Sequence, residues 1–413
     1  MDAILREVQK QKLLKENMAH PAPEREHLSV LKEIETGKLH GEIVQKLISS
    51  GYYVQKDALI EDLAMDYGHH RSIMAVGVVN DDMQFLGIVK RRELFDLLGK
   101  PFGRDVMKHK TVERIIEKVP VYNKERNIFT ASDDLAQDMK DSSINYYALT
   151  DSDNRFAGIF SSKDLLIYLS SITQKDIALA RSLQLSIVKE ETFVDLSSFQ
   201  ILGASKMAKG VGGDFYSIRR YSEHRWIFAI ADVSGKGVAA SLVTTSISGM
   251  FEIYDFKQGI PHFIQKLSDY IHYSFESQKF VTGLFADFDD RTGHITFYDM
   301  GHSYIYLFRK EKFFRLKTAG KNIPMGIEPG INAEADKLNL HKNDILIMIT
   351  DGIAEQSGPI GEEYGDKRLM EIITRSKSAG IQRIKNDIFS DIYLFRGTQP
   401  QHDDMTIMLI EYK

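Results

Sequence analysis

Trp226-Ile227-Phe228-Ala229-Ile230-Ala231-Asp232-Val233-Ser234-Gly235-Lys236-Gly237 joins an uninterrupted apolar run to an acid and a glycine-rich turn. The run predicts a buried strand, and Asp232 stands at its end. Three further segments also place an acid at the end of a strand-like stretch. Asp214 sits in Gly212-Gly213-Asp214-Phe215-Tyr216, Asp351-Gly352 follows the apolar run Ile345–Ile349, and Asp403-Asp404 immediately precede another run beginning at Met405. Carboxylates at the ends of different strands converge on one rim of a sheet, where without cations they repel and raise one another's pKa. Mg²⁺ and Mn²⁺ remove that penalty because they favour carboxylate and water oxygens. The neighbouring glycines let the backbone approach and leave room for metal-bound water. A single Asp-Gly is more often a turn, and Asp289-Asp290 is read as one.

Further strands are expected at Val281–Phe288, His294–Tyr298, Ser303–Phe308, Asp344–Thr350 and Met405–Glu411, with helices at Ala239–Tyr254 and His262–Phe275. Strands outnumber helices from about residue 192 onward, which predicts an α+β domain of stacked sheets flanked by helices.

The whole chain has 413 residues, enough for two or three domains. Its 53 Lys and Arg against 58 Asp and Glu give a net charge of −5, which argues against a dedicated nucleic-acid binder. With 0 Cys, disulfide frameworks, thiolate zinc sites and cysteine nucleophiles are excluded. The start of the chain is charged, with no apolar leader, and no apolar run approaches the roughly 20 residues of a membrane span. A cytoplasmic protein without a membrane partner is expected.

An internal repeat organises the first half. Val79-Asn80-Asp81-Asp82-Met83-Gln84-Phe85-Leu86-Gly87-Ile88-Val89 recurs as Thr150-Asp151-Ser152-Asp153-Asn154-Arg155-Phe156-Ala157-Gly158-Ile159-Phe160, at an offset of 71 residues. Each copy reads as strand, Asp/Asn turn and strand, followed by a helix with a dense apolar face. The length suits two paired subdomains rather than a solenoid. Leu165, Leu169, Ile172, Leu179, Leu183 and Ile187 then form a helical stripe running towards the second half. Residues 1–17 carry an imperfect helical stripe of their own, suited to docking on this protein or a dimer mate.

The repeat resembles the tandem cystathionine-β-synthase (CBS) domain pair, a regulatory module that often binds adenosyl nucleotides. The second copy keeps that family's Gly, two aliphatics, hydroxyl and acid as Gly158, Ile159, Phe160, Ser161 and Asp164. The first copy departs, with Lys90 at the hydroxyl position and Glu93 at the acid position. The resemblance therefore implies at most one nucleotide site, at Ser161 and Asp164. Asp164 reads equally as an acid complementing a helix start, and a nucleotide-free, purely dimerising pair stays open.

The acidic segments resemble the metal-dependent (PPM-type) serine/threonine protein phosphatases, in the bacterial branch of the stage-II sporulation and sigma-B regulator enzymes. Gly212–Tyr216, Asp232–Gly237, Gly301-His302, Thr350–Gly352 and Asp403-Asp404 match that family's motifs in order. One departure is Ser217, where the family commonly has an acid. The resemblance implies catalysis at Asp214 and Asp232, which would bind two Mn²⁺ or Mg²⁺ ions, with Asp232 bridging and the Val233 carbonyl adding a ligand. Asp351 and Asp403 would complete the metal shells, and Asp404 would act outside them. Water activated by the metals would attack phosphoserine or phosphothreonine of a regulatory protein, by family resemblance an anti-sigma-factor antagonist.

His302 reads as a proton donor to the departing oxygen or as a structural histidine. Lys209 and Lys236 read as phosphate-attracting or as solvated. Diguanylate cyclases share the Gly-Gly-Asp turn, but theirs continues Glu-Phe rather than Phe215-Tyr216. The alternative function is a catalytically silent phosphatase-like scaffold that binds a signalling partner. The expected organisation is an N-terminal helical segment (1–39), the CBS pair (40–171), a linker helix (172–191) and a phosphatase β-sandwich flanked by helices (192–413). The CBS pair and the linker suggest a homodimer.

Overall fold

In a computed structural model, residues 28–34, 41–138, 145–318 and 320–413 are described. The helix expected within residues 1–17 lies outside them. The chain divides into two compact units, Met1–Ile172 and Thr173–Lys413.

The first unit is duplicated in structure as in sequence. Strands β1 (Lys32–Glu33), β2 (Tyr52–Gln55), β3 (Ala75–Val79) and β4 (Phe85–Lys90) form one sheet, and β5 (Val121–Asn123), β6 (Tyr146–Thr150) and β7 (Phe156–Ser161) form a second. In each sheet a parallel pair, β2–β3 or β5–β6, is followed by an antiparallel hairpin, β3–β4 or β6–β7. Both hairpins break register at the same point of the repeat, between Val78 and Val79 and between Leu149 and Thr150. Helices α1 (Ile60–His69), α2 (Arg91–Leu98), α3 (Gly103–Met107) and α4 (Ile128–Asp138) accompany the sheets. Each copy has its own apolar core, around Tyr67, Val76 and Val78 in the first and Tyr147, Leu149 and Phe160 in the second.

Helix α5 (Ser162–Ile187) begins directly after β7 and carries the chain into the second unit. Its start agrees with the apolar stripe that begins at Leu165, which is buried in the core of the second repeat.

In the second unit, β8 (Glu191–Asp195), β9 (Phe199–Lys206), β14 (Ile305–Arg309), β15 (Lys312–Arg315), β17 (Ile345–Ile349) and β18 (Met405–Tyr412) form a six-stranded antiparallel sheet. Its order is β15-β14-β17-β18-β9-β8. A five-stranded sheet has the order β10-β11-β12-β13-β16, from β10 (Phe215–Ser222), β11 (Arg225–Val233), β12 (Val281–Asp289), β13 (His294–Met300) and β16 (Asp336–Asn339). Helices α6 (Val238–Ile253) and α7 (Ile260–Ser274) pack on the five-stranded sheet. Helices α9 (Gly365–Ser376) and α10 (Ile381–Arg396) cover the outer face of the six-stranded one, and the short α8 (Asp351–Ala354) precedes them.

This layering explains the apolar runs. Along β17, Leu346 and Met348 point between the sheets, while Ile345, Ile347 and Ile349 face α9 and α10. Both faces of the strand are covered, so polar alternation is absent. The expected strands appear with ends shifted by a few residues. Asp289 accepts the Arg291 and Thr292 N–H groups in the turn between β12 and β13, as its hairpin reading requires.

Candidate active site

Antiparallel pairing brings the acids to one rim. Asp214 immediately precedes β10, and Phe215 pairs with Ala231, one residue before Asp232 on β11. Asp351 follows β17, and Asp403 and Asp404 precede β18, whose Ile407 pairs with Ile349. The two sheets present these ends together, because Thr350 Oγ1 and Thr406 Oγ1 of the six-stranded sheet donate to Asp214 Oδ2 at 2.8 and 2.6 Å.

Asp214 is buried. Burial and then the charges of Asp232 and Asp404 hold its carboxyl well above the ordinary carboxylate range. Burial, followed by Asp351, Asp403 and Asp404, pushes the Asp232 carboxyl up to about 8, against a smaller opposing pull from Lys236. Burial, then Asp403 and Glu355, also raises Asp351. These acids thus raise one another's proton affinity, as the sequence reading anticipates.

Asp404 has a different occupation. Its Oδ1 accepts the Ala208 N–H at 2.7 Å and its Oδ2 the Gly213 N–H at 2.6 Å, so it shapes the loop that presents Asp214. At Gly352 a Cβ would lie 2.0 Å from the Asp404 carbonyl oxygen, so only glycine lets these two segments meet. The Val233 carbonyl faces the same loop, and a Cβ on Gly213 would stand 3.2 Å from it.

Asp403 is engaged elsewhere. Its Oδ2 lies 2.7 Å from Lys236 Nζ, and its Oδ1 accepts the Asp404 N–H at 2.9 Å. Among the described residues, no three acid, imidazole or thiol groups are arranged to hold one ion. The donor chemistry nevertheless fits hard cations, since every candidate ligand is a carboxylate or carbonyl oxygen and the acids disfavour one another's charge. Ions with few protein ligands and several waters suit such a rim.

Three contributions escaped the sequence reading, although Thr350 itself lies in the Thr350–Gly352 match. Thr350 and Thr406 orient Asp214. Gln184, near the end of α5 and buried, makes a two-point clasp on Gly212: Nε2 donates to the carbonyl at 2.7 Å and Oε1 accepts the N–H at 3.0 Å. None of these contacts has a local sequence pattern.

His302 is fully enclosed, with Nε2 2.8 Å from the Ile349 carbonyl oxygen and Nδ1 3.4 Å from Thr282 Oγ1. Burial lowers its pKa. Of its two readings, the structural one matches this setting. Lys209 is exposed.

In the first unit, Ser161 and Asp164 lie together. The Ser161 N–H and hydroxyl both donate to Asp164 Oδ2, at 2.7 and 2.6 Å. They border a cavity of about 360 Å³ whose lining includes Ser49, Ser50, Tyr52 and Tyr146. At the matching positions of the first repeat, Lys90 is paired with Glu117 at 2.5 Å and Glu93 at 3.2 Å.

A family model described as stage II sporulation protein E (SpoIIE) matches residues 222–413. Over 247 residues the chain is 22% identical to phosphoserine phosphatase RsbP of Bacillus subtilis, covering 58% of this chain and 59% of that protein. It is 25% identical over 248 residues to protein IcfG of Synechocystis, covering 52% of this chain and 38% of that protein. The chain therefore spans less than two thirds of the length of either relative. The SiaA-PP2C domain of Pseudomonas aeruginosa matches with a TM-score of 0.51 at 16% identity, covering 59% of this chain and 99% of that domain. The C-terminal unit thus has the mixed α+β fold of PP2C-type domains. No described helix is long and apolar enough to cross a membrane.

Proposed function

We propose that the C-terminal unit is a metal-dependent phosphoprotein phosphatase acting on phosphoserine or phosphothreonine. The observation that carries this reading is the gathering of Asp214, Asp232, Asp351 and Asp403 from four segments at one sheet rim. There burial and mutual repulsion raise Asp214, Asp232 and Asp351. Such a cluster disfavours the charged state of its own members unless cations fill it. Asp214, Asp232, Asp351, Asp403 and the Val233 carbonyl would hold two Mn²⁺ or Mg²⁺ ions. When bound, such ions supply a water of lowered pKa and neutralise charge growing on phosphoryl oxygens. The chain's part is to fix Asp214 through Thr350 and Thr406, to hold the 208–213 loop through Asp404, and to brace it through Gln184.

Relatives named as phosphoserine phosphatases support a phosphoserine substrate, and a phosphorylated regulatory protein such as an anti-sigma-factor antagonist fits that class. In the N-terminal unit, the cavity at Ser161 and Asp164 supports a CBS-type module that takes one adenosyl nucleotide. The Lys90–Glu117 pair stands where the first repeat would need a neutral hydroxyl. Leu179, Leu183 and Ile187, spaced four apart and exposed on α5, suit a homodimer joined along that helix.

The test is phosphate release from a phosphoserine peptide against Mn²⁺ concentration, for the native chain and Asp232→Asn. Mn²⁺-dependent release that disappears in the variant is expected. Peptide binding without turnover in both would favour the silent scaffold instead.

A further inference from the structure

Lys236 is exposed at the edge of the acidic site and is held against it. Its ammonium stands 2.7 Å from Asp403 Oδ2 and donates to the His402 carbonyl at 2.6 Å, so it is held at two points on one loop. That loop is itself fixed. The fully buried Gln356 donates from Nε2 to the Pro400 carbonyl at 3.2 Å and accepts the His402 N–H at 3.2 Å. Asp403 Oδ1 is meanwhile occupied by the Asp404 N–H. Both oxygens of this acid are therefore engaged, one by a full positive charge.

We propose that Lys236 is a tethered counter-ion on Asp403 that competes with a divalent cation for that carboxylate. A divalent ion bound at Asp403 Oδ2 would stand close to the ammonium, and the two positive charges repel more strongly in a partly desolvated site than in water. Entry of the ion at Asp403 is thus an exchange of one cation for another. Lys236 is 43% exposed, so its side chain has open space to move into when it leaves the carboxylate. The lysine thereby stabilises the cation-free fold and lowers the affinity for one ion only. This leaves the site at Asp403 sensitive to free metal concentration. The proposal rests on the metal-centre reading above.

The test uses the full chain, made metal-free, and compares native protein with Lys236→Met, Lys236→Arg and Lys209→Met. Mn²⁺ binding is followed by calorimetry and thermal unfolding by Trp226 fluorescence. Lys236→Met is expected to bind the weaker Mn²⁺ roughly fivefold more tightly, the scale of a half-exposed ion pair, and to have a lower metal-free Tm. Lys236→Arg keeps the charge and should keep the native affinity. Equal tightening in Lys209→Met would mean that background charge alone is at work and would overturn the proposal.

A second measurement needs no variant. Acetylation of Lys236 by an amine-reactive ester, read by mass spectrometry, should rise severalfold when Mn²⁺ is added, while Lys209 stays constant. Unchanged Lys236 reactivity at saturating Mn²⁺ overturns the exchange. Mn²⁺ binding indifferent to Lys236 removes this proposal alone. Absence of Mn²⁺ binding in every protein removes the metal-centre reading and the proposal with it.

Discussion

Gln184 offers a quantitative test of how α5 supports the site. Replacing it with alanine removes two hydrogen bonds, at 2.7 and 3.0 Å, from the backbone of Gly212, two residues before Asp214. Each bond contributes about 1 kcal/mol net, and the buried Gly212 N–H left without its acceptor adds a desolvation cost of similar size. The expected loss is about 2–3 kcal/mol. Gln184→Met keeps most of the side-chain volume and should lose nearly as much, which separates hydrogen bonding from cavity formation. The chain has 1 Trp, Trp226, which is buried in the C-terminal unit, so its fluorescence reports that unit's unfolding. In urea the midpoint should fall by about 1 M. Because the clasp steadies the loop presenting Asp214, Mn²⁺ affinity should also fall, by about tenfold. Native midpoint and native Mn²⁺ affinity in both variants would refute the reasoning.

Other outcomes follow from the same contacts. Asp232 keeps its proton to about pH 8 in the folded, metal-free chain but loses it near pH 4 when unfolded. Its contribution to stability is therefore fully present below about pH 4 and lost as pH rises to about 8. Metal-free Tm should decline across that window and decline less in Asp232→Asn; identical profiles would contradict this. Thr350→Val and Thr406→Val each take one hydroxyl from Asp214 Oδ2 and should weaken Mn²⁺ binding about tenfold, measured by calorimetry. Asp164→Ala should abolish adenosyl-nucleotide binding measured the same way, whereas Glu93→Ala should leave it intact.

Much of this arrangement was legible because strand ends and glycine turns leave local marks. The apolar runs at Trp226–Ala231 and Ile345–Ile349, each closed by an acid, announce both the strands and the rim. The 71-residue repeat carries over to identical register breaks in two hairpins. Helices α9 and α10 carry the same kind of mark: Leu369, Ile372 and Ile373, then Ile381, Ile384, Ile388 and Ile392, keep helical spacing and are buried. Other contributors had no such mark. Thr350 and Thr406 reach Asp214 across 136 and 192 residues, and Gln184 reaches Gly212 across 28. Only the pairing of two sheets makes those distances short. The start of α5 near Leu165 was legible from the apolar stripe that begins there, because that residue packs into the core of the second repeat.

The central claim is that acids from separate strands form one two-ion centre. Electron paramagnetic resonance of the metal-free full chain titrated with Mn²⁺ tests it most directly. Two ions per chain with an exchange-coupled signal, lost in Asp232→Asn, are expected. An isolated single-ion spectrum in the native chain, unchanged by that substitution, would contradict it.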